Sequence, residues 1–383
     1  MKTEGSLFAA EERKDLAHGV NPILKVTNLS KSYGSVSVLR GASFEVFQGE
    51  ILVVLGPSGC GKSTTLRLLA GLERPDTGEI LLKDKTVVHA EKGVFLSPEQ
   101  RNMGMVFQSF AVWPHMTVQE HVAFPLVVRR LGKGEIQKRV DETLDFVGLR
   151  DFKERRATQL SGGQQQRLSL ARALVYEPDV LLLDEPLSNL DAKLRQQMRV
   201  ELKRLQQKLG STFVFVTHDQ VEAMTLAHRI VVMKDGMIEQ IGTPDDLYRK
   251  PKTPFVHGFL GTTIHFEGRW VSDQGAMYVE LPGGFKFLPA GVDQRLCANS
   301  ESRDVRVTIR PDDFEIITEN RSPEKNEIEA MVASVIDLGS KYEIAINGCG
   351  TEFMLEMPKR FQVKAKQRLL LSVDPSRVKI WSA

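Results

Sequence analysis

The chain has 383 residues, 42% hydrophobic and 26% charged, a composition that supports two or three folded domains and excludes the disordered and fibrous classes. Its 51 basic and 49 acidic residues are intermixed and leave a net charge of +2, so neither nucleic acid nor a membrane surface is expected as a bulk electrostatic partner. Cys60, Cys297 and Cys349 form no CxxC pair and leave one over in any pairing, which fits a reducing compartment.

Residues 1–21 carry both charge signs and no apolar core region, and are read as a flexible N-terminal extension, neither signal peptide nor anchor. From Ile23 to Phe47, short apolar and β-branched runs broken by Tyr33-Gly34 and Gly41 predict antiparallel strands. Glu50 to Leu55 is an apolar strand that runs into a glycine-rich loop, and Leu66, Leu69 and Ala70 predict a helix over Lys62 to Gly71. After Phe107-Gln108 the pattern turns helical, over Val118 to Leu131, Lys133 to Val147, and from Ser161 to Val175. This predicts a helical insert, at about 109–175, inside an α/β core. The core resumes with strand Val180 to Leu183, helix Ala192 to Leu209, strand Thr212 to Val216, helix Gln220 to Ala227 and strand Arg229 to Met233. The apolar runs are strand-sized, short of the roughly 20 residues that cross a bilayer, so membrane contact is expected through a partner protein.

Beyond Phe255 to Gly261, short alternating segments such as Met277 to Leu281 and Phe285 to Leu288 predict a small all-β domain. It holds an internal echo: Val305 to Ile317, with Pro311, overlays Leu369 to Trp381, with Pro375, suggesting two related small barrels or half-barrels. The domains are thus 1–21, 22–261 and 262–383.

Three motifs carry chemistry. Gly56-Pro57-Ser58-Gly59-Cys60-Gly61-Lys62-Ser63, followed by Thr64, matches the phosphate-binding pattern in which glycines let backbone N–H groups close on phosphate oxygens. There Lys62 reaches the β- and γ-phosphates and Ser63 ligates Mg²⁺. Asp184 closes an apolar strand, the place for a second Mg²⁺-ordering carboxylate, and Glu185 follows as a candidate general base. Leu160-Ser161-Gly162-Gly163-Gln164 precedes a helix and offers a hydroxyl and backbone N–H groups to another phosphate. Since the phosphate loop already surrounds one nucleotide, this second surface is expected to serve ATP held by a second copy. An electrophile attached to Cys60 is expected to block nucleotide entry.

With these motifs in order, the chain resembles the ATPase subunits of ATP-binding-cassette transporters over Ile23 to Thr243. The resemblance implies an α/β P-loop NTPase with an antiparallel β subdomain and a helical insert. It also implies that Tyr33 stacks on adenine, that Gln108 touches Mg²⁺, water and the membrane partner, and that Ser161, Gly162, Gly163 and Gln164 meet the γ-phosphate on the opposite subunit. Asp191 would line the dimer seam and His218 would contact the γ-phosphate. Asn189 stands where alanine is commoner in the family, and is expected to leave catalysis undisturbed while making the seam slightly more polar.

Asp235 to Pro251 and Phe255 to Gly261 resemble the junction in solute-importer ATPases that continue into a C-terminal TOBE-type OB-fold domain. Ile309-Arg310-Pro311-Asp312 and Val335 to Ser340 resemble motifs of that domain. The resemblance implies an importer subunit, for a polyamine, iron(III) or sugar, working as a homodimer with two transmembrane permease subunits and, indirectly, an extracytoplasmic solute-binding protein. It would sit peripherally on the cytoplasmic face of the membrane, with its C-terminal domain regulatory or dimerising. The alternative is a soluble cassette ATPase acting on nucleic acid or the ribosome, disfavoured by the absence of a long heptad insertion, a zinc-ligand cluster and a basic patch.

Overall fold

The computed structural model describes residues 21–273, 276–288, 304–317 and 321–382. The N-terminal extension, apart from its last residue, and Cys297 lie outside the described residues. Contacts divide the chain into two compact units that meet at Lys252 and Thr253.

The first unit begins with β1 (Leu24–Tyr33), β2 (Val36–Val46), β3 (Ile51–Leu55), α1 (Lys62–Ala70), β4 (Thr77–Leu82), β5 (Lys85–His89), β6 (Val94–Phe95) and β7 (Met103–Val106). The helices α2 (Val118–Val128), α3 (Lys133–Phe146) and α4 (Gly162–Leu174) follow. Then come β8 (Val180–Asp184), α5 (Ala192–Leu209), β9 (Thr212–Thr217), α6 (Gln220–Leu226), β10 (Arg229–Lys234), β11 (Met237–Gly242) and α7 (Pro244–Arg249).

Two sheets form from these strands, one antiparallel in the order β2-β1-β4-β5-β6 and one in the order β11-β10-β3-β9-β8-β7. In the second, β10, β3, β9, β8 and β7 are parallel and β11 is antiparallel at the edge. Strands β3, β8 and β9 are buried at every position, which explains the continuous apolar stretches Ile51 to Leu55, Val180 to Leu183 and Phe213 to Val216. Both sheets feed one core that includes Leu24, Leu39, Leu52, Leu66, Leu182 and Val214. The helical insert packs its own cluster around Val122, Leu126, Leu144 and Leu168.

The helix expected to reach Leu131 stops at Val128, because Arg130 turns left-handed (φ 59°) and Leu131 N–H closes back on the Leu126 carbonyl. Strands β4 to β6 are not among the sequence expectations, although β4 alternates buried Ile80 and Leu82 with more exposed positions. They are short and half-buried and extend the antiparallel sheet.

The second unit holds α8 (Pro254–Phe259), β12 (Ile264–Asp273), β13 (Ala276–Leu281), β14 (Phe285–Phe287), β15 (Asp304–Ile309) and β16 (Phe314–Ile317). It continues with β17 (Glu327–Asp337), β18 (Lys341–Gly348), β19 (Thr351–Pro358), β20 (Arg368–Val373) and β21 (Lys379–Ser382). By contacts the division falls between Lys252 and Thr253, and α8 is fastened to the β unit. His257 Nδ1 lies 2.8 Å from the Thr308 hydroxyl, and the buried Arg310 donates to the carbonyls of Leu260 and His257.

The β unit is two five-stranded antiparallel sheets, β14-β13-β12-β15-β21 and β16-β20-β17-β18-β19, over one shared core. The internal echo is structural. Each echoing segment is a strand, a Pro-initiated 3₁₀ turn and a second strand in the other sheet, and the two segments pair antiparallel, Thr308 facing Lys379 and Phe314 facing Val373. The echo relates two arms of one core, an arrangement that fits half-barrels and not two separate barrels. No helix among the described residues is long and apolar enough to cross a membrane.

Candidate functional site

Strand β3 delivers the chain into the loop Gly56 to Ser63, whose glycines are required by space and backbone. A Cβ on Gly56 would lie 2.4 Å from the Met233 carbonyl oxygen, and one on Gly61, at φ 102°, would lie 2.7 Å from that of Val38. Helix α1 starts at this loop without a side-chain cap, so its first N–H groups are available to an anion. Lys62, which opens α1, donates its amine to the carbonyls of Gly56 (2.8 Å) and Pro57 (2.9 Å). Ser58 and Gly59 are exposed, whereas Cys60 is 3% exposed and burial pushes its thiol pKa up. That runs against an activated thiol.

Strand β8 carries Asp184 to its end, where the Ser63 hydroxyl donates to the carboxylate at 2.9 Å. Burial raises the Asp184 pKa, the Ser63 bond opposing it, and Glu185 adds to the rise. An alcohol and a carboxylate oxygen brought this close are a fitting pair of hard ligands for Mg²⁺. Glu185 comes next at φ 44°, a conformation that costs a side chain of this kind on the order of 1–3 kcal/mol and is held by its N–H bonding the Val216 carbonyl. This turn aims the carboxylate at His218, whose Nδ1 is 3.0 Å away.

Tyr33 ends β1, 46% exposed, with its hydroxyl bonded to the Glu73 carboxylate. Thr64 also interacts with that hydroxyl. The Lys31 ammonium lies over the ring, 5.5 Å from its centre.

Gln108 is exposed on the loop after β7, where its amide donates to the Ser188 hydroxyl (3.2 Å). Its carbonyl accepts from the Asn189 amide at 2.8 Å. Asp191 caps α5 through the Leu194 N–H. Ser161 caps α4 in a reciprocal pair with Gln164, and Ser161 and Gly162 are exposed while Gly163 packs on Leu194. The structure therefore gathers Lys62, Ser63, Asp184, Glu185 and His218 into one cluster of contacts. Ser161, Gly162, Gly163 and Gln164 make none of its hydrogen bonds and instead form an open helix N-terminus.

The family described as ABC transporter matches residues 39–188. Over almost its whole length the chain is also 42% identical to the trehalose/maltose import ATP-binding protein MalK of Thermococcus litoralis, covering 94% of this chain and 97% of that one. This chain belongs to the ABC transporter family. Other ABC relatives include the spermidine/putrescine import ATP-binding protein PotA of Clostridioides difficile, 42% identical over 90% of this chain and 94% of that one. The sulfoquinovosyl glycerol transport ATP-binding protein SmoE of Agrobacterium fabrum is 40% identical, over 94% and 97%. Among solved structures, cbiO1 of Clostridium perfringens, part of the ABC transporter complex cbiONQ, aligns with a TM-score of 0.54 and 32% identity. It covers 59% of this chain and 90% of its own. As an ABC protein the chain binds ATP and is an ATPase.

Some residues of this ABC site escaped the sequence reading. Glu73 and Ser188 carry no pattern that marks them, because their partners, Tyr33 and Gln108, are distant in sequence. Glu222 is buried beside His218's strand and accepts from the Thr217 hydroxyl at 2.6 Å, and burial raises its pKa. Arg172 did leave a signal, a lone charge inside the apolar run Leu168 to Leu174.

Proposed function

We propose that this chain is the ATP-hydrolysing subunit of an importer, working as a homodimer that closes around two ATP molecules and drives two permease subunits in the membrane. The observation that carries the reading is the separation of its two phosphate-binding elements. One, at Gly56 to Ser63, has Asp184 bonded to its Ser63, with Glu185 next in the chain and bonded to His218. The other, Ser161 with Gly162 at the start of the 13-residue α4, is exposed and bonded only within its own helix. A second copy is the natural source of its phosphate. That two import subunits, one for trehalose/maltose and one for spermidine/putrescine, are equally similar to the chain supports the importer reading and favours neither solute; the reading keeps polyamine, iron(III) and sugar as candidate solutes.

In this mechanism Lys62 exchanges the carbonyls of Gly56 and Pro57 for the β- and γ-phosphate oxygens. Tyr33 stacks on adenine, fixed by Glu73. Ser63, Asp184 and Gln108 would hold Mg²⁺, which would neutralise charge on the phosphates. Glu185 takes the proton from the attacking water, and His218, bonded to Glu185, contacts the γ-phosphate. Ser161, Gly162, Gly163 and Gln164 of the second copy complete the cage, and Asp191 lines the seam. Closing positions the water for Glu185; hydrolysis removes the γ-phosphate that both copies share and reopens the pair. The subunit then sits on the cytoplasmic face of the membrane, linked through its permeases to an extracytoplasmic solute-binding protein. The β unit acts as a regulatory or dimerising module.

The test is nucleotide occlusion. With Glu185→Gln, ATP and Mg²⁺ should remain bound through gel filtration, and adding Ser161→Arg should release the nucleotide without weakening its initial binding. Retention that ignores Ser161→Arg overturns the sandwich. Co-purification with polytopic membrane proteins supports the importer assignment, and tight nucleic-acid binding at physiological salt overturns it.

A further inference from the structure

Arg172 lies on α4, 11 positions beyond Ser161 in the sequence and so about 16 Å along the helix. It is only 8% exposed, and among the described residues no carboxylate pairs with it. Its guanidinium donates instead to two successive backbone carbonyls, Phe110 (3.0 Å) and Ala111 (2.5 Å), and to the Ser169 hydroxyl (3.4 Å). The same group lies 4.9 Å from the centre of the Trp113 ring. Trp113 is anchored in turn by its backbone N–H, which donates to Nε2 of the fully buried His121 at 2.7 Å.

The two carbonyls belong to an unusual backbone. Phe110 and Ala111 are both left-handed, at φ 59° and 47°. For residues with a Cβ this costs roughly 1–2 kcal/mol each, so the conformation persists only where its surroundings hold it. A buried guanidinium without a counter-ion is also costly unless its donors are satisfied. Each therefore needs the other: the carbonyls solvate the charge, and the charge fixes the bend. Gln108 lies two residues before that bend.

We propose that Arg172 is a positioning residue that ties the Gln108 loop to the Ser161 helix, so that a displacement of the helix N-terminus moves Gln108 of the same chain. Engagement of Ser161 by nucleotide on a second copy thereby sets Gln108 at the chain's own ATP, a consequence that rests on the sandwich reading; the tether itself does not. Lysine is not equivalent to arginine here, because a single ammonium lacks the planar fork whose two separate nitrogens reach Ala111 and Phe110 while the same group lies over the Trp113 ring.

The test uses the full chain. Arg172→Lys should lower kcat at least tenfold while leaving the affinity for a fluorescent ATP analogue within about twofold. Because Arg172 acts through Gln108, Arg172→Lys combined with Gln108→Ala should be no slower than Gln108→Ala alone. Independent losses that multiply, or an unchanged kcat, overturn the proposal. Hydrogen exchange guards against a folding defect. In Arg172→Lys, amides of 107–113 should exchange faster while those of 51–55 and 180–184 stay protected; loop exchange that does not change also overturns it. If these results hold but Ser161→Arg leaves nucleotide occlusion intact, the tether stands and the sandwich falls.

Discussion

The side-chain amide of Asn189 donates to the carbonyl of Gln108 at 2.8 Å, fastening the Gln108 loop to the turn that leads into Asp191. Sequence alone suggested that asparagine here would be catalytically silent. The bond gives it a purpose, and Asn189→Ala should lower kcat a few-fold with little change in KM, in keeping with one exposed hydrogen bond of about 1 kcal/mol. Asn189→Asp, which cannot donate, should behave like the alanine variant. Steady-state kinetics on the two variants decides this, and unchanged kcat in both would remove any role for the bond.

Glu185 and His218 meet at 3.0 Å from two neighbouring strands. If Glu185 is the base, Glu185→Gln should cut hydrolysis by about 10²- to 10⁴-fold with ATP affinity retained. Glutamine occupies the same left-handed backbone, so the melting temperature should barely move. Calorimetry beside single-turnover assays separates loss of chemistry from loss of fold.

Cys60 sits in the phosphate loop, but it is buried and its thiol pKa is raised by desolvation above the ordinary value, with Lys62 opposing. Its alkylation at neutral pH should be much slower in the folded protein than in the denatured chain. Peptide mass spectrometry after timed iodoacetamide exposure reads this directly. Rapid labelling of the native protein would contradict the burial.

The β unit should lose stability in mild acid through His257. Burial first, then Arg310, Lys379 and His265, lowers its pKa from 6.5 to about 4. The Thr308 hydroxyl accepts from the Trp381 indole at 2.8 Å and keeps its own proton for His257 Nδ1, an arrangement that suits neutral imidazole. The unfolded chain takes up a proton near pH 6.5 that the folded chain refuses until about pH 4, so this contribution is full above pH 6.5 and is lost as pH falls towards 4. The thermal midpoint of wild type should therefore fall more steeply across this window than that of His257→Gln. Parallel pH profiles would show that His257 does not titrate in this way.

The sequence by itself determined the elements that flank the motifs and the chemistry expected of them. The phosphate loop, the acidic strand end and the Ser161 helix cap are local patterns, each written in consecutive residues whose conformations follow from glycine freedom, apolar burial and capping. Helix α5 runs from Ala192 to Leu209 as its caps, Asp191 and Gly210, dictate. The echo around Pro311 and Pro375 announced two related arms. Only the tertiary structure decided what depends on residues remote in the chain. It brought Asp184 to Ser63 and Arg172 to the Phe110 and Ala111 carbonyls, and it fastened the helix Pro254–Phe259 to the β unit through His257 and Arg310. A hydrogen bond between distant residues leaves no periodicity, and a left-handed bend at phenylalanine and alanine contradicts local preference, so packing alone selects them.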